Sequence, residues 1–339
     1  MNPVPVQSTI NAQELLNRYL AGERDFKNVN LIGAHLCHVN LVGIDLAGAS
    51  LARANLTRAL LHEVNFTNAF LYGSNLSFVK LGRGQLKDAD LTKANLEGAF
   101  LVKSQMSGVK LSGAILRGVN LRASNLQGVN LCGANLSGVN LRSANLTRAN
   151  LNWANLSQAK LSGAILKETQ MTGINLSSAY LSEVDLQGFD LSGVNFSQAL
   201  MTRINLQDAD LTAANLSQTQ LEQGNLQRAK LQDANLVEAD LLSSNLTDAV
   251  LIRADLSFAI LTHGTLMGAN LNLATLRKAD LRGANLQNAY LWKADLSEAN
   301  LEGANLYGAS LRGANLQGVN LTNVNLAGAT LPDGTIYKA

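Results

Sequence analysis

The sequence predicts an all-β solenoid in which the backbone turns a corner every five residues and four corners complete one coil. Three regularities indicate this fold. A large apolar residue recurs at every fifth position, a small residue lies two positions before it, and most glycines lie two positions after it. With about 300 residues in this pattern, we expect about 15 coils and a rod roughly 70 Å long at ~4.8 Å per coil.

The five-residue period runs from Leu31 to Leu331 without a change of phase. Of the 61 positions in this series, 56 hold Leu, and Phe26 and Ile336 extend it at the two ends. The other five positions hold Phe66, Met106, Met171, Phe196 and Met201. An α-helix repeats its faces about every 3.6 residues and a strand every two, so neither element would bury this series on one side. A chain that turns at each repeat would bury it.

The residues on either side of this apolar position, called i below, indicate how each corner is made. Position i−2 is usually small, as in Ala54 and Ala94, and alternation along an extended segment directs it to the same side as residue i. Of the 28 glycines, 22 lie at i+2. Because the third residue of a type II turn needs a positive φ, we expect type II corners at 98–138 and 303–328, where these glycines are dense. We expect another turn type between Gln198 and Phe258, where this phase holds no Gly.

The recurring triplet of Ala, then Asn or Asp, then Leu resembles the consensus of the pentapeptide repeat family. It occurs for example as Ala54-Asn55-Leu56, Ala134-Asn135-Leu136 and Ala284-Asn285-Leu286. The resemblance covers about nine-tenths of the chain and implies the family's fold, a right-handed quadrilateral β-helix with four repeats per coil. The entry at 21–26 and the exit at 331–335 look like forms abundant in cyanobacteria. The resemblance implies no single function, because members of the family do different things.

The chain before the repeats predicts a short helix that covers the first coil. Asn11 is a candidate N-cap with Glu14 three residues later, and Gly22 is a candidate stop. The expected apolar face consists of Leu15, Leu16, Tyr19 and Leu20. We expect a leader and capping helix at 1–25, a single uninterrupted β-helix at 26–336 and a C-terminal tail at 337–339. An alternative role for the helix is to bind a partner.

The outward side chains are the candidates for function, and residues 20 apart should stack on one face of the coil. Faces one to four are numbered by their central residues Leu31, Leu36, Leu41 and Leu46. Face one carries the candidate partner-binding residues Phe70, Tyr72, Trp153, Tyr290 and Trp292. Clustered exposed apolar groups indicate a binding surface, whereas ordinary packing between coils would also explain them.

Chemistry-bearing motifs are sparse, so we expect no enzyme activity, no cofactor and no metal. The segment His35-Leu36-Cys37-His38 holds three ligand-type side chains. On an extended strand His35 and Cys37 share a direction while His38 lies around a corner, which does not suit convergent metal ligation. We find no arrangement of Ser, His and Asp typical of hydrolases and no phosphate-binding glycine loop.

These features predict a non-catalytic, rod-shaped scaffold for protein–protein interaction with an unknown protein partner. The alternative is a DNA mimic that binds a type II topoisomerase, as some proteins similar to this chain do. A mimic needs a strongly negative surface, and the net charge of +2 disfavours it. With 15% charged residues we expect no nucleic-acid partner. The chain ends in a thinly covered coil, which leaves the expected state open between a monomer and a weak end-to-end dimer.

The expected location is the cytoplasm, with no membrane contact. The sequence shows no secretory signal pattern and no apolar run of membrane-spanning length. Cys37 and Cys132 lie almost five coils apart, over ~20 Å, which is beyond disulfide reach. Two free thiols suit a reducing compartment.

Overall fold

The computed structural model describes residues 9–338, which form two compact units, 9–174 and 175–338. The one helix in this described range is α1, Ala12–Leu20. The β structure consists of single bridging residues, one in each pentapeptide, and no longer strand occurs between 9 and 338. Each pentapeptide places residue i in an extended segment, residues i+1 and i+2 in a turn, and the next i−1 residue in a bridge.

Parallel bridges join residues 20 apart within each unit. In the first unit they run from Asp25 with Asp45 to Asn150 with Gln170. In the second unit they run from Asn175 with Asn195 to Ser310 with Thr330. Backbone hydrogen bonds follow the same register, because the N–H of residue i donates to the carbonyl 19 residues later, as from Leu136 to Asn155 at 2.7 Å. This register confirms a β-helical coil of four pentapeptides.

The residues that the period predicted fill the core as far as Leu311, whereas Leu316, Leu326 and Leu331 are half-buried and Leu321 is 40% exposed. Leu36, Leu136 and Leu256 are fully buried, and so are Phe66 and Phe196 at the same phase. The i−2 residues complete the interior, mostly as Ala or Val. Burying each Leu contributes about 1.5–3 kcal/mol, so the repeated leucines supply the main stabilisation of the coil.

Polar residues at a few i−2 positions are compatible with this core because each has a hydrogen-bond acceptor. The buried Ser104 hydroxyl donates to the carbonyl of Leu81 at 3.0 Å, and the Ser124 hydroxyl donates to that of Leu101 at 2.7 Å. Among the described residues, no buried side-chain nitrogen or oxygen lacks a hydrogen-bond partner. The narrow interior therefore accepts a hydroxyl wherever a carbonyl of the same or the preceding coil is in reach.

Most corners are closed by a hydrogen bond from the N–H of residue i+3 to the carbonyl of residue i, as from Ala134 to Leu131 at 3.0 Å. The i+2 glycines have positive φ, for example 63° at Gly133 and 72° at Gly313. Positive φ at the third turn residue alone is the type II pattern. The expectation of type II corners at 98–138 and 303–328 is confirmed.

The expectation of another turn type between Gln198 and Phe258 is wrong. The i+2 residues there also have positive φ, with 56° at Arg203 and 60° at Phe258, although none of them is Gly. Two backbone bonds hold this conformation. One closes the corner, and in the other the N–H of Arg203 donates to the carbonyl of Glu222 in the next coil at 2.9 Å. A left-handed backbone costs a non-glycine residue about 1–2 kcal/mol, which the paired coil outweighs.

Helix α1 lies against the first coil. The Asn11 side chain caps it by accepting the N–H of Glu14 at 2.8 Å, and Gly22 follows its end with a φ of 100°. Leu15 is fully buried, and the Tyr19 hydroxyl donates to the carbonyl of Val42 at 2.9 Å. The predicted cap and stop are confirmed.

The predicted apolar face of α1 is narrower than expected, because Leu20 is 81% exposed. This residue is the last of the helix, and Leu15 is the one residue of α1 that is buried. Leu16 and Tyr19 are half-buried.

The C-terminal end departs from the predicted period. Gly334 has a φ of 90°, and after it the chain reverses, so that Ile336 pairs antiparallel with Thr330. Tyr337 exchanges two backbone bonds with Gly328 and Ala329 at 3.0 and 2.8 Å. Ile336 therefore does not extend the buried series and is 63% exposed.

Candidate partner-binding surface

The outward positions of each face are i−1, i+1 and i+2, and the 20-residue register stacks each of them in columns. Residue i−1 makes the bridge, so its backbone is hydrogen-bonded to neighbouring coils while its side chain faces outward. Residue i+2 lies at the corner with positive φ. Side chains at these positions therefore stand on a backbone that is fixed from both sides.

Phe70 and Tyr72, at i−1 and i+1 of the same pentapeptide in the first unit, pack on each other. Their ring centroids lie 6.2 Å apart with an interplanar angle of 12°, which is a stacked pair. The Lys93 ammonium lies 6.0 Å from the Tyr72 ring centroid. Much of the aromatic surface of this pair is therefore already in contact within the chain.

Trp153 is 67% exposed and occupies a corner of face one. Its ring lies over Gly173, the corner residue of the next coil, where a Cβ atom would collide with the ring. Phe78 over Gly98 and His263 over Gly283 repeat this arrangement. A large corner side chain thus leans over the following coil, and Gly leaves room for it.

Tyr290 and Trp292 lie at i−1 and i+1 of one pentapeptide in the second unit and are 54% and 42% exposed. The backbone N–H of Trp292 donates to the Asn272 side-chain Oδ1 at 2.9 Å, and this bond holds the backbone that carries the indole. The Lys293 ammonium lies 4.6 Å from the indole centroid. Leu273, one coil earlier at the adjoining corner, is 41% exposed.

The structure does not bring the five predicted residues into one patch. Phe70 and Tyr72 form one pair, Trp153 lies four 20-residue steps further along the first unit, and Tyr290 and Trp292 belong to the second unit. We retain Tyr290, Trp292 and Leu273 as the candidate surface, because they expose two aromatic rings and a Leu side chain in adjacent coils.

Sequence reasoning missed Leu273, although a signal was present. Leu273 lies in the i+2 phase, which faces outward at a corner, and that phase otherwise holds Gly, polar and charged residues with few apolar exceptions. An apolar residue in this outward phase, one coil before an aromatic pair, would have predicted an exposed apolar side chain next to the pair.

Charged side chains pair along the columns. Among residues 9–338, eight ion pairs join residues 20 apart: Arg83 with Glu63, Arg117 with Glu97, Arg148 with Glu168, Arg203 with Glu183, Arg228 with Asp208, Lys230 with Asp210, Arg253 with Asp233 and Lys278 with Glu298. Hydrogen bonding from Arg253 lowers the pKa of the Asp233 carboxyl, and Arg148 does the same for Glu168. These exposed pairs contribute little stability each.

The candidate metal ligands of the sequence do not form a metal site in the described range. Cys37 is exposed and Cys132 is half-buried, and both are free thiols. Between residues 9 and 338 no three His, Cys, Asp or Glu side chains are placed to hold a metal ion. In the same range, α1 is too short and too polar to span a bilayer, and no other helix occurs.

The family model described as pentapeptide repeats (8 copies) matches overlapping stretches over most of the sequence. The matched residues are 25–61, 40–77, 85–122, 124–163, 154–193, 190–228, 225–262, 249–288, 266–303 and 294–333. The chain belongs to the pentapeptide repeat family. The resemblance in the Ala-Asn-Leu triplets is thereby confirmed.

Several solved structures are similar to this pentapeptide repeat chain. HetL, a pentapeptide repeat protein involved in heterocyst differentiation regulation from the cyanobacterium Nostoc sp. strain PCC 7120, is 29% identical over 97% of this chain and 100% of its own, with a TM-score of 0.26. A pentapeptide repeat protein from the Arabidopsis thaliana thylakoid lumen is 29% identical over 30% of this chain and 70% of its own, with a TM-score of 0.29.

A third similar structure is trypsin-treated QnrB1, a plasmid-mediated fluoroquinolone resistance protein. It is 19% identical over 65% of this chain and 90% of its own, with a TM-score of 0.27. No curated protein matches the chain. The family membership depends on the repeat match and on the 20-residue register.

Proposed function

We propose that this protein is a non-catalytic scaffold that binds a protein partner through Tyr290, Trp292 and Leu273. The observation that supports it is the exposure of two aromatic rings on a backbone held by hydrogen bonds to neighbouring coils. Aromatic side chains that stay exposed on a fixed frame lose little conformational entropy on binding, and they dominate the energy of protein interfaces.

The surface around these residues suits a protein interface. Lys293 and Arg312 lie beside the rings in the same and the next coil, and polar Asn270 and Asn272 lie in the coil before. An apolar centre with a polar and charged rim is the usual anatomy of such an interface.

The DNA-mimic alternative receives no support from the acidic segment 208–255. Asp208, Asp210 and Asp233 each form an ion pair with an Arg or Lys one coil later, at 2.7, 3.1 and 2.6 Å. Three of the eight carboxylates in this segment are therefore neutralised, which interrupts the continuous negative stripe that a mimic of the phosphate backbone requires.

Affinity capture from the native cell tests the proposal. The bait is the full chain, compared with a Tyr290→Ala/Trp292→Ala variant. Tyr307→Ala is the matched control, since Tyr307 is 49% exposed and lies at i+1 of a pentapeptide on face four. We expect the double variant to lose a captured protein that the control retains. Equal capture by all three baits would show that this surface is not the binding site.

A further inference from the structure

Charge is distributed unevenly along the chain. Residues 98–167 contain eight Lys or Arg and no Asp or Glu. On either side of this stretch both signs occur, and some basic residues, such as Arg83 and Arg228, have a carboxylate one coil away. The stretch therefore breaks the charge pattern of the rest of the molecule.

Four of these basic residues fall on face three of the first unit and form the basic strip: Lys103, Arg122, Arg142 and Lys160. Backbone bonds place them on successive coils. The Lys103 N–H donates to the Arg122 carbonyl at 3.0 Å, and the Leu141 N–H donates to the Lys160 carbonyl at 2.8 Å. Arg122 and Arg142 occupy the same column one coil apart, and both are exposed.

The basic strip lacks the carboxylates that some other columns, such as those of Arg83 and Arg228, supply. Within residues 9–338, no Asp or Glu lies within ion-pair distance of Lys103, Arg122, Arg142 or Lys160. Arg122 has Val102 and Arg142 at the two positions 20 residues away, where Arg228 and Arg253 each have an aspartate. Stacked like charges repel, so the strip weakens the folded state slightly and attracts anions.

We propose that the basic strip binds an extended, acidic segment of a partner protein. The proposal goes beyond the function given above, because the strip lies in the first unit and the Tyr290–Trp292 surface in the second. The chain itself shows the recognition chemistry, since guanidinium groups on these faces pair with carboxylates at the spacing of one coil, ~4.8 Å. A partner carboxylate beside Arg122 and another beside Arg142 would complete the missing pairs with charge-assisted hydrogen bonds.

The surroundings of the strip favour an acidic peptide over a nucleic acid. Proteins that bind single-stranded nucleic acids commonly stack successive bases on aromatic side chains, whereas Phe100, an exposed aromatic beside the strip, already packs edge-on against His62, with ring centroids 6.3 Å apart. The other neighbours on this face, such as Val102, Asn120 and Asn140, are uncharged.

Fluorescence anisotropy with a labelled peptide of alternating Glu and Ser, about eight residues long so that it outreaches the four coils of the strip, tests the proposal. The test variant is Arg122→Gln/Arg142→Gln. The matched control is Lys87→Gln/Lys110→Gln, which removes the same charge from faces four and one. Thermal unfolding of each variant shows whether it is folded.

We expect the test variant to bind the Glu-Ser peptide at least about tenfold more weakly than the parent, and the control to bind within about twofold of it. A peptide of alternating Gln and Ser should not bind. Equal weakening by both variants would mean general charge attraction and would overturn the proposal. Tighter binding of a single-stranded DNA oligonucleotide of equal charge, lost in the test variant, would also overturn it and assign the strip to nucleic acid.

Discussion

At the scale of single residues, the corner position i+2 carries the highest local cost in this fold. Its φ is positive whether the residue is Gly, as at Gly118 with 65°, or Ala, as at Ala123 with 55°. Hydrogen bonds to the neighbouring coil determine the backbone conformation at this position, whichever residue occupies it. Replacing Gly by another residue at a corner should therefore add backbone strain, and replacing another residue by Gly should remove it.

A reciprocal pair of substitutions measures this strain. A Cβ atom at Gly118 would meet nothing within 4 Å, so Gly118→Ala changes the backbone energy alone. We expect Gly118→Ala to lower the free energy of unfolding by about 1 kcal/mol and Ala123→Gly to raise it by a few tenths, since the flexibility of Gly in the unfolded chain offsets part of the gain. Urea unfolding followed by circular dichroism measures both. A destabilised Ala123→Gly variant would contradict a strained corner.

The turn type expected between Gln198 and Phe258 was wrong because the neighbouring coils, and not the corner residue, determine the backbone conformation. Local preference favours Gly at positive φ, and the sequence holds none there in that phase. Tertiary pairing prevails, because each corner belongs to a column whose hydrogen bonds extend through neighbouring coils. The period of five predicted the coil correctly since burial of leucine is repeated at every pentapeptide, whereas turn type was inferred from one residue at a time.

At the scale of the pentapeptide, the Asn or Asp at i−1 completes the corner. Its side-chain oxygen accepts the N–H of residue i+1, as from Thr57 to Asn55 at 3.1 Å and from Gln227 to Asn225 at 3.2 Å. The amide also donates along the column, as from Asn225 to Asn205 at 3.2 Å. The sequence predicted that residues 20 apart stack on one face, but the bond within the repeat was missed, although Asn and Asp side chains commonly bond the backbone two residues later.

Two substitutions at Asn225 separate these bonds. Asn225→Asp keeps the oxygen that accepts the Gln227 N–H and loses the donors to Asn205 and Gln207. Asn225→Ala loses all of them. We expect Asn225→Ala to lower the free energy of unfolding by about 1–2 kcal/mol. We expect Asn225→Asp to lower it by less, because the Asp side chain still accepts the hydrogen bond from the Gln227 N–H within the repeat. Chemical denaturation of both variants tests the order, and a larger loss for Asn225→Asp would show that the column bonds dominate.

At the scale of the whole molecule, the first half of the chain is positively charged and the second half is negatively charged. Residues 1–174 contain 17 Lys or Arg and 9 Asp or Glu, whereas residues 175–339 contain 10 and 16. The two halves thus carry +8 and −6, and a net charge of +2 understates both. The basic strip was not predicted because it appears only when residues are sorted by face. The spread of the five aromatic candidates could not be predicted for a related reason, since a shared face does not imply a shared coil.

Ion pairs, both within a repeat and between coils, also predict how stability responds to acid. Hydrogen bonding from Arg282 lowers the pKa of Asp280, and hydrogen bonding from Arg228 lowers that of Asp208. A carboxyl whose pKa is lower in the folded state stabilises the fold above its ordinary pKa, and this contribution is lost as the pH falls through the folded value. We expect the urea midpoint to be constant from about pH 7 to 5 and to fall progressively below about pH 4, where unfolded Asp begins to take up protons.

Asp280 offers the sharpest test, because its carboxyl is the more buried of the two and accepts the Arg282 guanidinium at 2.6–3.0 Å. Asp280→Asn removes the titrating group and should make the loss of stability in acid shallower than in the parent. Arg282→Gln removes the donor that lowers the pKa and should have the same effect on the slope while leaving the carboxyl in place. If both variants keep the acid slope of the parent, the pair does not cause it, and the loss in acid comes from other carboxyls or from net positive charge.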